Sequence, residues 1–364
     1  MKTNRIYFIF MAFLFIVFFG LILSSGNKTT DFSTTSSTIL SETSNQNKIT
    51  AQTEVSQHDN KKITISFLGD CMMASYKGES VHGNMNWCLD NKPFTYFFEK
   101  AMPYIGNDDF TITNCECVFT DTATSEVHKN HSPAYWYRSS SKNAGVFSMN
   151  SIDAVGIANN HIADYGIQGK EDTKKALESA GVLWGNDNQE VILEKNGVKI
   201  ALLLMNFWET YQSDKIVSKL INLNETTDIQ IVYFHGGTER IYSPEQWKVN
   251  GVHKFVDAGA DLVLGAHPHV LQPHEEYKGV DIVYSLGNFC YGGSKSPENR
   301  TIIYQETFTL DPENHIIESN ETIIPFYVFT GTTNNWQPAP IEDSVEKNAV
   351  LEFMYGKTSS PFPK

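Results

Sequence analysis

The sequence predicts an α/β domain built on a mixed sheet, or on two sheets packed together with helices outside. Three observations lead there. Strand-like and helix-like segments alternate through most of the chain after residue 61. Several strand-like runs, among them Ile231–Phe234 and Leu262–Leu264, are short and continuously apolar, as strands buried on both faces are. Two alternating segments, Thr301–Leu310 and Glu321–Phe329, then close the domain as antiparallel strands.

Taken in order, Lys62–Leu68 reads as a strand ending at Gly69-Asp70. Pro93–Tyr104 suits a helix with Pro93 at its first position. Phe110–Asn114 is a second strand, Asn143–Met149 a short helix, and Ala154–Ala158 a third strand running into Asn159-Asn160-His161. Lys170–Ala180 is a helix closed by Gly181. Val191–Glu194 and Val198–Met205 flank Lys195-Asn196-Gly197, a hairpin signal. Ile229–Phe234 is a buried strand that delivers His235. Ser243–Ala258 is a helix with Ser243 as cap, Pro244 behind it and Gly259 past its end. Leu262–Leu264 and Asp281–Ser285 are further strands, the second followed by Leu286-Gly287-Asn288-Phe289.

Before this domain, Lys2 and Arg5 precede Ile6–Leu23, which carries no charge. Eighteen helical residues span about 27 Å, enough for a hydrocarbon core. The basic flank places the N-terminus inside and the rest outside, so residues 1–23 are expected to form a cytoplasmic tip and transmembrane anchor. A cleaved signal peptide is the competing reading, since Ser24-Ser25-Gly26 follows. Residues 24–60, rich in Ser and Thr, have too few large apolar side chains to offset chain entropy and read as a disordered stalk. Residues 61–355 then form one domain, single-pass anchored and extracytoplasmic. A net charge of −14 argues against a nucleic-acid partner. Five cysteines without a CxxC read as buried free thiols, with one disulfide through Cys88 the minor alternative.

The strand ends carry the chemistry. Asp70 ends the first strand, Glu116 the second, Asn160-His161 the third and His235 a later one. His267 and His269 follow Leu262–Leu264; in an extended turn, residues two apart point the same way. Carboxylate, amide oxygen and imidazole are ligands for Mn, Zn or Fe. A carboxylate between two ions bridges them into a clamp for hydrolysis. Each residue alone also fits a duller role, a capping Asp or a packed core His; the concentration at the C-terminal ends of five strands favours a site.

The order of these groups is similar to that of the calcineurin-like metallophosphoesterases, with Met72 where those enzymes usually carry a His. Gly69-Asp70-Cys71-Met72, Asn114-Cys115-Glu116, Asn159-Asn160-His161-Ile162-Ala163-Asp164-Tyr165-Gly166, His235-Gly236-Gly237-Thr238-Glu239, Gly265-Ala266-His267-Pro268-His269 and Ser285-Leu286-Gly287-Asn288-Phe289 resemble the poly-gamma-glutamate capsule synthesis proteins, the CapA-like family. The chain departs from that pattern at Gly236, commonly Trp, and Arg240, commonly aromatic. The resemblance implies a metallophosphoesterase-like sandwich of two mixed β-sheets flanked by helices, with one or two divalent ions. It implies Asp70, Glu116, Asn160, His235, His267 and His269 as metal ligands and His161 as proton donor or as the group stabilising the oxyanion, oriented by Asp164. It also implies that Glu239 and Asn288 brace the ligands or touch substrate. It further implies an anionic polymer such as poly-gamma-glutamate as partner, beside capsule synthase subunits in the membrane. Two rivals stay open: a phosphoesterase acting on cell-wall or nucleotide phosphates, and a non-catalytic subunit that tethers polymer beside a synthase.

Overall fold

The computed structural model of the chain describes residues 60–363, so the anchor and nearly all of the stalk expected over residues 1–60 lie outside the described residues. Two mixed sheets pack face to face. The first runs Ala339–Pro340, Ile316–Tyr327, Thr301–Leu310, Lys61–Met72, Phe110–Cys115, Ala154–Gly156, Leu183–Gly185, with Asn288–Tyr291 also paired to the central Lys61–Met72 strand. Its second half is parallel and its first half antiparallel. The second sheet runs Leu271–Tyr277, Val280–Leu286, Leu262–Ala266, Ile229–His235, Val198–Asn206, Val191–Lys195, parallel at its centre and antiparallel at both edges.

Alternation along each strand sorts the layers. Ile200, Leu202 and Leu204 face the first sheet and meet Ile63, Ile65 and Phe67 in the inner core. Ala201, Leu203 and Met205 face out, under the helices Ser213–Leu223 and Gln246–Asp257. The outer face of the first sheet is covered by Met85–Asn91 and Gly166–Ser179. Tyr233 joins the sheets across the inner core: its hydroxyl donates to the Leu68 carbonyl at 2.6 Å while its ring meets Phe67 edge-on.

The predicted hairpin forms, with Asn196 and Gly197 both at positive φ (55° and 73°), as a tight turn between twisted strands requires. Elsewhere the structure corrects the expectation. Pro93–Tyr104 is not one helix: a 3₁₀ turn at Phe94–Phe97 gives way to Met102–Ile105, because Pro103 lacks the N–H that a continuous helix needs there and can only sit in a new first turn. Asn143–Met149 likewise divides into Ser141–Ala144 and Gly145–Ser148. The helix expected from Ser243 begins at Gln246, since Glu245 stays extended (ψ 143°). The helix expected from Lys170 starts four residues earlier, at Gly166. All five cysteines are free and buried. No helix of the described residues is long and apolar enough to cross a membrane.

Candidate metal centre

The two sheets present their C-terminal strand ends at one place, and six of the predicted groups meet there. Asp70, Glu116 and Asn160 come from the first sheet; His235, His267 and His269 come from the second. Asp70 is fully buried; its Oδ1 accepts from the Asn114 amide at 2.7 Å and its Oδ2 from the His267 backbone N–H at 3.0 Å. His235 Nε2 lies 2.9 Å from Asn160 Oδ1 and 3.5 Å from Glu116 Oε1. His269 Nδ1 lies 2.9 Å from Asn288 Oδ1 and 3.4 Å from Asp70 Oδ2.

The histidine pair reaches the site by a different backbone than expected. The turn is not extended: His267 and His269 both take positive φ, 95° and 58°. Side chains rarely adopt that region, and a residue held there costs on the order of 1–3 kcal/mol. Fixing Asp70 to the His267 N–H is one of the contacts that hold it.

Two sets of donors emerge, each with ligand atoms within 4.8 Å of one another: Glu116, His235 and His267; and Asp70, Glu116 and His269. Glu116 is common to both, placed to bridge. Both of its carboxylate oxygens are buried without a hydrogen-bond partner, and so is His267 Nδ1. Buried polar atoms are almost always partnered, so orphans on a carboxylate and an imidazole of one donor set fit a cation between them. Electrostatics agree. Burial pushes the Glu116 carboxyl well above its usual range and the His267 imidazole well below. Burial also opposes ionisation of Asp70, but bonds and charge from His235 and His269 outweigh it and hold Asp70 far below the carboxylate range. His269 is pulled the other way: burial would lower it, yet the Glu116 and Asp70 charges raise it to about 9.

His161 stands beside this cluster, its Nδ1 2.8 Å from Asp164 Oδ2. Asp164 is wholly buried, receives the Tyr137 N–H at 2.8 Å, and pairs with Lys129 Nζ at 2.6 Å. Burial depresses the His161 imidazole against the pull of Asp164. Glu239 forms a third donor group with His267 and His269. Outside the cluster a cleft of about 630 Å³ opens, lined by His161, His269, Asn288, Tyr137, Arg240 and Lys295 among others. A shallower recess of about 730 Å³ by Asp121 and Lys175 contains none of the clustered ligands.

Sequence reasoning missed four contributors. Asn114 links Asp70 to His235, and Asn159 accepts the His161 and Ile162 N–H groups to shape the turn that carries Asn160. Lys129 comes from a loop without any pattern. Trp208 sets its indole edge-on against both His235 and His267 (ring centroids 5.5 and 4.6 Å). Gly236 leaves no room for an aromatic at its own position, because a Cβ there would stand 1.8 Å from the Phe207 carbonyl.

The model of the family described as Bacterial capsule synthesis protein PGA_cap matches residues 64–292, which include every clustered donor together with His161, Asp164 and Asn288. The chain belongs to that family. It is 27% identical to the capsule biosynthesis protein CapA of Bacillus anthracis over 84% of this chain and 76% of that one. It is 26% identical to the PGA biosynthesis protein CapA of Bacillus subtilis (strain 168), over 96% of this chain and 87% of that one. Among solved structures it is similar to TT1561 of Thermus thermophilus, at 12% identity and a TM-score of 0.38, covering 71% of this chain and 99% of that one. A likeness that slight carries no weight for function.

Proposed function

We propose that this family member is an extracytoplasmic, membrane-anchored component of poly-gamma-glutamate capsule synthesis, and that its domain is a metallophosphoesterase-like, metal-dependent hydrolase. The orphaned, buried Glu116 carboxylate carries the metal reading; kinship with two CapA proteins supports the capsule; the charge-free Ile6–Leu23 run behind Lys2 and Arg5 supports the anchor. Glu116, His235, His267 and Asn160 would hold one divalent ion, and Asp70, Glu116 and His269 a second. Bound there, such ions supply a water of lowered pKa and polarise a phosphoryl or amide-type carbonyl oxygen.

The chain's own groups do the rest. Asp164, paired with Lys129, accepts the Nδ1 proton of His161 and fixes its tautomer, leaving the bare Nε2 to take a proton from water and then pass it to a leaving group in the cleft. Arg240 and Lys295 line that cleft and meet an anionic chain, and Asn288 orients His269. The test is elemental analysis of the full-length chain, purified in detergent without chelator, beside Asp70→Ala and His267→Ala. One to two equivalents of Mn, Zn or Fe, lost in the variants, is the expected result. A folded chain that takes up no metal would overturn the hydrolase and leave polymer tethering as the role.

A further inference from the structure

We infer that Glu239 is a metal ligand of the outer ion position, rather than a substrate contact. The inference rests on the metal-binding reading above. The inner position has four donors: Glu116, His235, His267 and Asn160, whose Oδ1 shares the His235 Nε2 face with Glu116. The outer position has three, Asp70, Glu116 and His269. Met72, two residues past Asp70, is buried and offers no hard donor. Small divalent ions in such sites take four or more ligands.

Glu239 is placed to add one through His269, the donor its own group shares with that set; its other partner, His267, belongs to the inner set. A carboxylate oxygen of Glu239 and one ring nitrogen from each of His267 and His269 all lie within 4.8 Å of one another. The loop that carries it is tied down at both ends to the segment that carries those histidines: Gly236 N–H donates to the Ala266 carbonyl at 3.1 Å and Arg240 N–H to the Pro268 carbonyl at 2.8 Å. Between them Gly237 takes φ 109°, and a Cβ there would stand 2.3 Å from Lys248 Nζ. That ammonium is wholly buried and held by Glu245 at 3.0 Å and Gln272 at 2.9 Å. The loop therefore rests on a fixed support, which presents Glu239 to the histidines while leaving it open to solvent. The ligand class is a divalent cation of the Mn or Zn type.

The full-length chain in detergent is stripped with chelator and titrated with Mn²⁺, reading stoichiometry by calorimetry and ion pairing by electron paramagnetic resonance. Wild type is expected to bind about two ions with an exchange-coupled spectrum, as ions about 3.5–4 Å apart give. Glu239→Gln is expected to bind one and to show only the uncoupled signal. Glu298→Gln, which removes a charge from the same cleft, is expected to keep both. Two coupled ions in Glu239→Gln would overturn the inference, as would a single ion in wild type and variant alike; both results leave the metal centre standing. Loss of the second ion in Glu298→Gln as well would also overturn it, by assigning the effect to charge alone. No binding in wild type would instead remove the reading on which it rests.

Discussion

Replacing Glu116 by Gln should have opposite effects on the metal-free and metal-loaded protein. In the metal-free state both Glu116 oxygens are buried and unpartnered. An unsatisfied buried polar group costs about 1–3 kcal/mol, more when charged. Its folded pKa lies well above the value of 4.5 that applies unfolded. The folded state therefore binds the proton more tightly, and stability contributed by Glu116 is present below about pH 4.5 and lost as pH rises toward the folded pKa. Gln stays neutral, so metal-free Glu116→Gln should match wild type at pH 4 and exceed it by about 1–3 kcal/mol at pH 8. With Mn²⁺ at 100 times its dissociation constant, wild type should gain about 2.7 kcal/mol. For a domain of this size that is roughly 5 °C in Tm. Glu116→Gln, with its bridging charge gone, should gain little. Scanning calorimetry with chelator and then with Mn²⁺, at both pH values, reads all four states. A variant that is less stable than wild type at pH 8 without metal, or that gains the same 5 °C with it, would refute the reasoning.

Other changes test separate parts of the structure. His161→Ala should leave metal stoichiometry unchanged and abolish capsule formation in cells, checked by elemental analysis beside polymer assay; loss of metal would move His161 into the ligand set. Tyr233→Phe deletes the buried bond between the sheets and should cost about 1–1.5 kcal/mol in urea unfolding. Gly236→Ala sets a Cβ against the fixed Phe207 carbonyl and should lower stability by roughly 1–3 kcal/mol, with loss of metal affinity as His235 shifts. Glu306 is buried against Tyr304 and Ser319 and far from the ligand set, and burial raises its pKa to about 7. Its folded pKa exceeds the unfolded one, so stability should fall by about 3 kcal/mol between pH 4.5 and 7, a slope that Glu306→Gln should flatten.

The parts of the fold legible in sequence were those where one local rule decides. The Asn196-Gly197 hairpin and the apolar central strands follow from turn stereochemistry and burial on both faces. The apolar Phe and Tyr residues around Pro103 suit a helix in composition, while its missing N–H breaks it. The strand ends identified the residues that cluster, since the polar group that follows a buried strand has nowhere to go but the sheet's edge. They did not identify how the ligands are held. Asn114, Lys129 and Trp208 act through partners distant in sequence, on another strand, loop or sheet. The His267 and His269 geometry was misread for a related reason: positive φ at a non-glycine residue is imposed by tertiary contacts and leaves no trace in the local residues.

The division of the clustered groups between the sheets also means that the cluster is complete only when both sheets have formed. Asp70, Glu116 and Asn160 precede His235, His267 and His269 in the chain, and Thr301–Leu310, later still, pairs with Lys61–Met72 in the middle of the first sheet. Neither half alone holds the sets that share Glu116, which meets His235 and His267 in one group and Asp70 and His269 in the other. If the proposed ions bind, they would be held only once both sheets had formed, and they would answer the buried Asp70 and Glu116 carboxylates, whose charges oppose each other there.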